Sequence, residues 1–318
     1  MRVGHNPARF IEKVAQPAEI TVAVVNCIPF LSGFYEQGLD VLKIVIDSLN
    51  ATREEAHPYD VMLFDNHSCA EVREYLKEAC NQGKIQYLVL SDTNIGKIGA
   101  WNYMFGAAQG KYIVFSDGDI QFRSGWLSAS LDLFETFPEV GMVTARPLRT
   151  PMEYSTASLE WAKRAGVLEQ GRFLDWETYW EHVESLGQEH AKARQDYASG
   201  SEYRVIQAGK AAFIGATHFQ FMARRAVLQK VIPLPSEQPM RGERALDIAI
   251  NNMGLLRLTT ERPYVRHLGN IPPSTDLKLT TLPRRKSLLK RLLMLGPIRR
   301  VLLWLHNRIF RLYFFNVD

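Results

Sequence analysis

Cysteine is scarce in this chain: Cys27, Cys69 and Cys80 are the three in 318 residues, far apart, with no CxxC pair and no histidine pattern beside them. That excludes a disulfide framework and a zinc site, and a reducing compartment is the expected setting. Long apolar runs are missing too. The N-terminal segment MRVGHNPARFIEKVAQPAEI spreads its charges along its length and has no continuous apolar core, so no secretory leader is expected and a cytoplasmic protein is. Two phosphate-binding fingerprints are also absent. There is no GxxxxGK(S/T), and the glycines near residue 96 do not make GxGxxG, so P-loop and dinucleotide folds lose their usual support.

What is present suits a soluble globular chain, with 46% hydrophobic and 23% charged residues. The net charge of +4 is unevenly placed: residues 284–318 carry nine Lys or Arg against the single acid Asp318, which leaves the remainder at −4. A basic excess confined to one end speaks of that end's partner and gives the body no affinity for nucleic acid. In the tail, Leu288, Leu292 and Leu295, then Val301, Leu302, Leu305, Ile309 and Leu312, fall at helical spacing among the cations, with Gly296-Pro297 between the two groups. No run there reaches the roughly 20 apolar residues that a span needs. Two basic amphipathic helices are expected, suited to lying on an anionic membrane surface, with packing on the rest of the chain as the alternative.

The first 150 residues alternate short β-rich runs with helical patterns, the form of a mostly parallel sheet covered by helices. Strands are expected at 20–26, 59–65, 85–90 and 112–116, and helices at 39–49, 70–80 and 98–108, where apolar residues recur with a spacing near 3.6. From 150 to 209 the composition shifts to long helical stretches rich in charge and aromatics, including Trp161, Trp176, Tyr179 and Trp180. This stretch is expected to be a helical insertion. Its aromatics are expected to pack it onto the sheet, with the stacking of a ligand against them as the alternative. A β-like run at 211–222 follows, then helices at 224–231 and 243–253.

Ligands in open α/β sheets sit beyond the carboxyl ends of the strands. Three loops at those ends are strongly polar: Asp65-Asn66-His67-Ser68, Ser91-Asp92-Thr93-Asn94 and Ser116-Asp117-Gly118-Asp119. Residues two apart in extended chain face the same way, so Asp117 and Asp119 can address one ligand. Two hard oxygen donors at a strand tip suit Mg²⁺ or Mn²⁺, although Asp-Gly-Asp is also good turn chemistry. The segment NIGKIGAWN, from Asn94 through Lys97 to Asn102, opens the next helix with small residues, where backbone can approach an anion.

The order of Phe64-Asp65-Asn66-His67-Ser68, Asn94 to Asn102 and Phe115-Ser116-Asp117-Gly118-Asp119 resembles the nucleotide-sugar-binding half of family 2 glycosyltransferases. The resemblance covers roughly residues 20–270. It implies a GT-A type α/β fold, with a mostly parallel Rossmann-like sheet flanked by helices, a helical insertion and the basic helical tail. In domain terms this is one unit over 1–283, with a donor-binding half at about 20–149, the insertion at about 150–209 and an acceptor half at about 210–283, followed by the tail at 284–318. It further implies that Asp65 contacts the nucleobase, Asp117 the ribose or the metal, and Asp119 the metal bridging the two phosphates, with Lys97 near the diphosphate or sugar. Asn94 and Asn102 belong to the same donor-binding set.

Arg241-Gly242-Glu243, eleven residues before Gly254, looks like the xED element that supplies the catalytic base. Arg244 stands where a second acid is usual, and Asp247 one turn on competes with Glu243. Val265-Arg266-His267-Leu268-Gly269-Asn270 resembles the V-x-H-x-G element, whose histidine, here His267, completes the metal site. His218 is expected either on the acceptor side of the cleft or, equally, in a structural place. The function implied is a metal-dependent, inverting transfer of a sugar from a nucleotide diphosphate sugar to a saccharide or lipid-linked acceptor in the cell envelope. A protein that keeps the fold and binds without catalysis is the alternative left by Arg244. A sugar-phosphate nucleotidyltransferase would need a glycine-rich, Arg-containing loop after the first strand, and Asn26-Cys27-Ile28-Pro29 is not one.

Overall fold

The structure, a computed structural model, describes residues 4–11, 13–165, 167–237 and 242–273, together with Leu305 and Arg308. The compact unit ends at Pro273. The expected tail helices at 284–318 lie outside the described residues apart from Leu305 and Arg308, and so does Arg241. No described helix is long and apolar enough to cross a membrane.

The first half alternates as its sequence pattern demands: β1 (Ile20–Asn26), α1 (Gly38–Ala51), β2 (Tyr59–Asn66), α2 (Ala70–Asn81), β3 (Tyr87–Ser91), α3 (Gly96–Ala107), β4 (Tyr112–Asp117), β5 (Ile120–Phe122), α4 (Trp126–Thr136) and β6 (Val140–Thr144). Then come α5 (Thr156–Ala165), β7 (Leu168–Gly171), α6 (Trp176–Ser185), α7 (His190–Ser199), β8 (Glu202–Gln207), β9 (Lys210–Ile214), β10 (Gln220–Arg224), α8 (Arg225–Val231), α9 (Arg244–Asn252), β11 (Leu256–Thr259) and β12 (Val265–His267). Ten strands form one sheet in the order β3-β2-β1-β4-β10-β6-β11-β9-β8-β7, and β12 pairs with β5 apart from it. β3, β2, β1 and β4 are mutually parallel, as are β6 and β11, while β10 runs antiparallel between β4 and β6.

Period-two alternation divides the core into two layers. Val22 and Val24 of β1 and Leu63 of β2 turn to one side with Leu42, Ile46 and Leu49 of α1 and Leu76 of α2. Ala23, Phe64 and Phe115 turn to the other with Ile98, Trp101 and Phe105 of α3. Burying strands on both faces explains why they read as continuous apolar runs.

The expected elements of the first half stand within a residue or two of their places. Two expectations from the second half need correction. The run at 211–222 is two strands, because Gly215, at φ 125°, turns the chain out of the sheet. A side chain there would put its Cβ 1.9 Å from Thr150 Oγ1. β9 and β10 therefore end up on opposite sides of β6 and β11. The 150–209 stretch, expected to be helical, holds α5, α6 and α7 but also β7 and β8, which extend the sheet beyond β9.

Candidate active site

Register alone gathers the polar loops. In the sheet Asn26 lies opposite Asp65, Val25 opposite Asp117 and Asn66 opposite Ser91, so the carboxyl ends of β1, β2, β3 and β4 make one rim. Gly118 is required where the chain crosses it: a Cβ there would come 3.0 Å from the Val25 carbonyl oxygen and 3.1 Å from Asn26 Oδ1.

Asp65 is fully buried. Its Oδ2 accepts from Arg73 Nε at 2.9 Å and from the Ser68 amide at 3.2 Å, whereas Oδ1 has no partner. Arg73, one residue that sequence reasoning missed, also donates to the Ser91 carbonyl and so ties α2 to the end of β3. Asn94 organises the next loop from within. Its Oδ1 accepts from Asn66 Nδ2 and from the Gly96 amide, both at 2.9 Å.

At β4 the two acids of Asp-Gly-Asp part company. Asp117 Oδ2 forms an ion pair with Lys97 Nζ at 2.7 Å. Asp119 Oδ2 instead faces His267 Nε2 at 3.3 Å, brought there by the β5–β12 pair and by the Leu268 amide, which donates to the Asp119 carbonyl at 2.8 Å. Asp119 Oδ1 is buried and unpartnered. Burial pushes the Asp119 carboxyl up to about 6 against the pull of Lys97. Burial also raises Asp117, with Lys97 opposing and Asp119 adding to the rise, and lowers His267, with Asp117 opposing. Ionised carboxylates are costly here, and a further cation would relieve that cost.

Among the described residues, no group of three or more His, Cys, Asp and Glu side chains is arranged to hold a metal. The expected trio of Asp117, Asp119 and His267 is thus reduced to a pair, because Lys97 occupies Asp117. The pair still suits a divalent ion. It offers a carboxylate with one unpartnered oxygen beside an imidazole nitrogen, and Mg²⁺ or Mn²⁺ commonly keeps several positions for phosphate oxygens and water.

The candidate bases differ in their surroundings. Asp247, buried in α9, accepts from the buried Arg257 NH2 at 2.7 Å. Arg257 in turn donates to the Tyr154 and Ala216 carbonyls, both at 2.6 Å. That carboxylate is built into the core. Glu243, just before α9, accepts from the Leu246 amide at 3.1 Å through its backbone carbonyl, but its carboxylate has no hydrogen bond or ion pair among the described residues; its neighbour Gly242 lies against α3, where a Cβ would meet Ile98 Cγ1 at 2.7 Å. Glu243 thus follows directly on a residue packed against Ile98 of α3. His218, in the β9–β10 loop with its side chain 41% exposed, has Nδ1 at 3.7 Å from Asp247 Oδ2.

Asn102 is not brought to the rim. Its Nδ2 donates to the Leu234 carbonyl at 2.9 Å and its Oδ1 accepts from the Leu234 amide at 2.8 Å, so the side chain is spent on clamping α3 to the loop after α8. The aromatics of the 150–209 stretch are likewise engaged, mostly with each other. Trp176 stacks on Trp180 at 5.6 Å and meets Tyr197 and His190 of α7 edge-on at 5.4 Å. They join α6 to α7; Trp161, against Phe137 at 5.8 Å, Phe173, against Phe213 of β9 at 6.5 Å, and Tyr203 pack toward the sheet.

The opposite face of α6 turns to the site. Glu181 is shared by Arg123, Arg146 and Arg266, and Ser185 Oγ meets His267 Nδ1 at 2.9 Å.

A sheet of this order with such a rim is that of the GT-A glycosyltransferases, and the chain belongs to glycosyl transferase family 2, whose model matches residues 32–230. Among solved structures it is similar to GalNAc-T7 with UDP, GalNAc and Mn²⁺ (TM-score 0.50, 15% identity over 79% of this chain and 44% of that one). It is also similar to S. aureus TarS 1–349 (0.48, 11%, 78% and 59%) and to the mannosyltransferase PcManGT from Pyrobaculum calidifontis with GDP-Man and Mn²⁺ (0.45, 14%, 80% and 60%). The chain spans less than two thirds of each of these. No curated protein matches it.

Proposed function

We propose that this protein transfers a sugar from a nucleotide diphosphate sugar to an acceptor hydroxyl, with inversion, in a reaction that depends on Mn²⁺ or Mg²⁺. The observation that carries the proposal is the pair of buried carboxylate oxygens left without partners at one strand rim, Asp65 Oδ1 and Asp119 Oδ1. Buried polar atoms are nearly always paired, so two bare carboxylate oxygens at one rim suit groups of a bound ligand or ion. Asp65, held by Arg73, would accept an N–H of the nucleobase. Asp117 would meet the ribose and Lys97 the diphosphate. Asp119 and His267 would hold the cation, which when bound neutralises charge on the leaving diphosphate.

Glu243 then removes the proton of the acceptor hydroxyl, general-base help worth about 10²- to 10⁴-fold. The freedom of its carboxylate from any partner among the described residues supports that role over Asp247. His218, exposed beside Asp247, lines the acceptor side. The basic tail would place the enzyme on an anionic cytoplasmic membrane face, near a lipid-linked or cell-envelope acceptor.

The test is a thermal-shift screen of nucleotide sugars with and without Mn²⁺. Binding to the native state at about 100 times Kd adds about 2.7 kcal/mol, so at least one donor should raise Tm by several degrees, and only with metal. Release of free nucleoside diphosphate on adding acceptor then separates enzyme from binder. A protein that binds donor yet releases none with any saccharide or lipid-linked acceptor would contradict the proposal.

A further inference from the structure

We propose that Ser185, the last residue of α6, is a positioning residue that fixes the tautomer of His267 and leaves its Nε2 bare toward Asp119. The inference rests on Asp119 and His267 being the cation ligands. Ser185 Oγ has one hydrogen and two neighbours, the His182 carbonyl oxygen at 2.6 Å and His267 Nδ1 at 2.9 Å. A carbonyl oxygen can only accept. If the hydroxyl proton pointed to the imidazole, two oxygen lone pairs would face each other at 2.6 Å. The proton therefore lies toward His182, and Oγ meets Nδ1 as an acceptor.

Nδ1 then carries the ring hydrogen, and in a neutral imidazole the other nitrogen has none. That nitrogen, Nε2, is the atom 3.3 Å from Asp119 Oδ2. Two electron-pair donors converging beside an unpartnered Oδ1 form half of a cation's coordination shell, and orienting a ligand histidine through its other nitrogen is how proteins commonly prepare one.

The serine is itself held in place. Arg146, fully buried, pairs with Glu181 at 2.6 Å, donates to the Val265 carbonyl of β12 at 3.0 Å, and donates to the Thr178 carbonyl of α6. One guanidinium thus ties the helix carrying Ser185 to the strand carrying His267. Gly269, at φ 66°, lets the two approach, since a Cβ there would lie 3.0 Å from the Ser185 carbonyl oxygen. The 150–209 stretch, which carries none of the motifs of the donor-binding half, thereby supplies a support to the cation site.

The experiment uses the full chain labelled with ¹⁵N, with the His267 signals in long-range ¹H–¹⁵N spectra assigned through His267→Gln. Wild type should show His267 as the Nδ1–H tautomer. Ser185→Ala should give mixed tautomers and about 10- to 100-fold weaker Mn²⁺ binding by EPR. The isosteric pair Ser185→Thr and Ser185→Val separates hydroxyl from shape: threonine should keep both properties and valine lose both, which keeps the test open should the alanine variant fold poorly. Equal Mn²⁺ affinity in wild type, threonine and valine forms, or a wild-type His267 that is Nε2–H or doubly protonated at neutral pH, overturns the proposal alone. A wild type with no saturable Mn²⁺ binding, with or without UDP or GDP, overturns the cation-site assignment and this proposal with it.

Discussion

The acids in the first half of the chain and those in the second are used in different ways. Around β2 and β4, Asp65 is fully buried and Asp119 half-buried, and each keeps one buried oxygen without a partner, although the other oxygen of Asp65 meets Arg73. In the second half the buried Asp247 and Glu202 and the half-buried Glu181 are met by arginine: Asp247 by Arg257, Glu202 by Arg149 and by the Phe173 and Leu174 amides, and Glu181 by three guanidinia. An unpaired buried acceptor costs stability that a bound group can return, whereas a paired one stabilises the frame around it. The same residue type therefore marks a binding rim in one region and a brace in the other. Glu243 is the exception in the second half, an acid with no brace to make.

Asp247→Ala should break this contrast most forcefully. It strands the buried Arg257 charge and should cost about 3–5 kcal/mol of stability in urea unfolding. An unchanged midpoint together with lost turnover would make Asp247 the base and reverse the assignment. Glu243→Gln comes next: turnover should fall at least about hundredfold while Tm and donor affinity stay near wild type. Near-normal turnover in that variant would remove Glu243 from the mechanism.

How far the sequence foretold this depends on the range of the interaction. β1 was expected at 20–26 and stands there, because seven residues with burial on both faces leave little else for the chain to do. Asp65 and Asp119 were expected at the rim because each ends or follows a strand whose register is set by apolar pattern. Side-chain partnerships across long separations were not visible. Lys97 taking Asp117, Asn102 clamping Leu234 and Ser185 touching His267 join residues 20, 132 and 82 apart, and no local spacing announces them. The strands β7 and β8 were hidden for another reason. Their sequences, LEQG and EYRVIQ, are short, charged and only partly buried, so a period-two signal hardly forms.

The central claim is that Asp119 is held unpaired for a cation that bridges the donor to the protein. Calorimetry of Asp119→Ala with a nucleoside diphosphate that binds wild type, with and without Mn²⁺, tests it most directly. The metal-dependent part of the affinity should vanish, while Tm stays level or rises because a costly buried carboxylate has gone. Undiminished Mn²⁺-dependent binding in a folded Asp119→Ala protein would contradict the account.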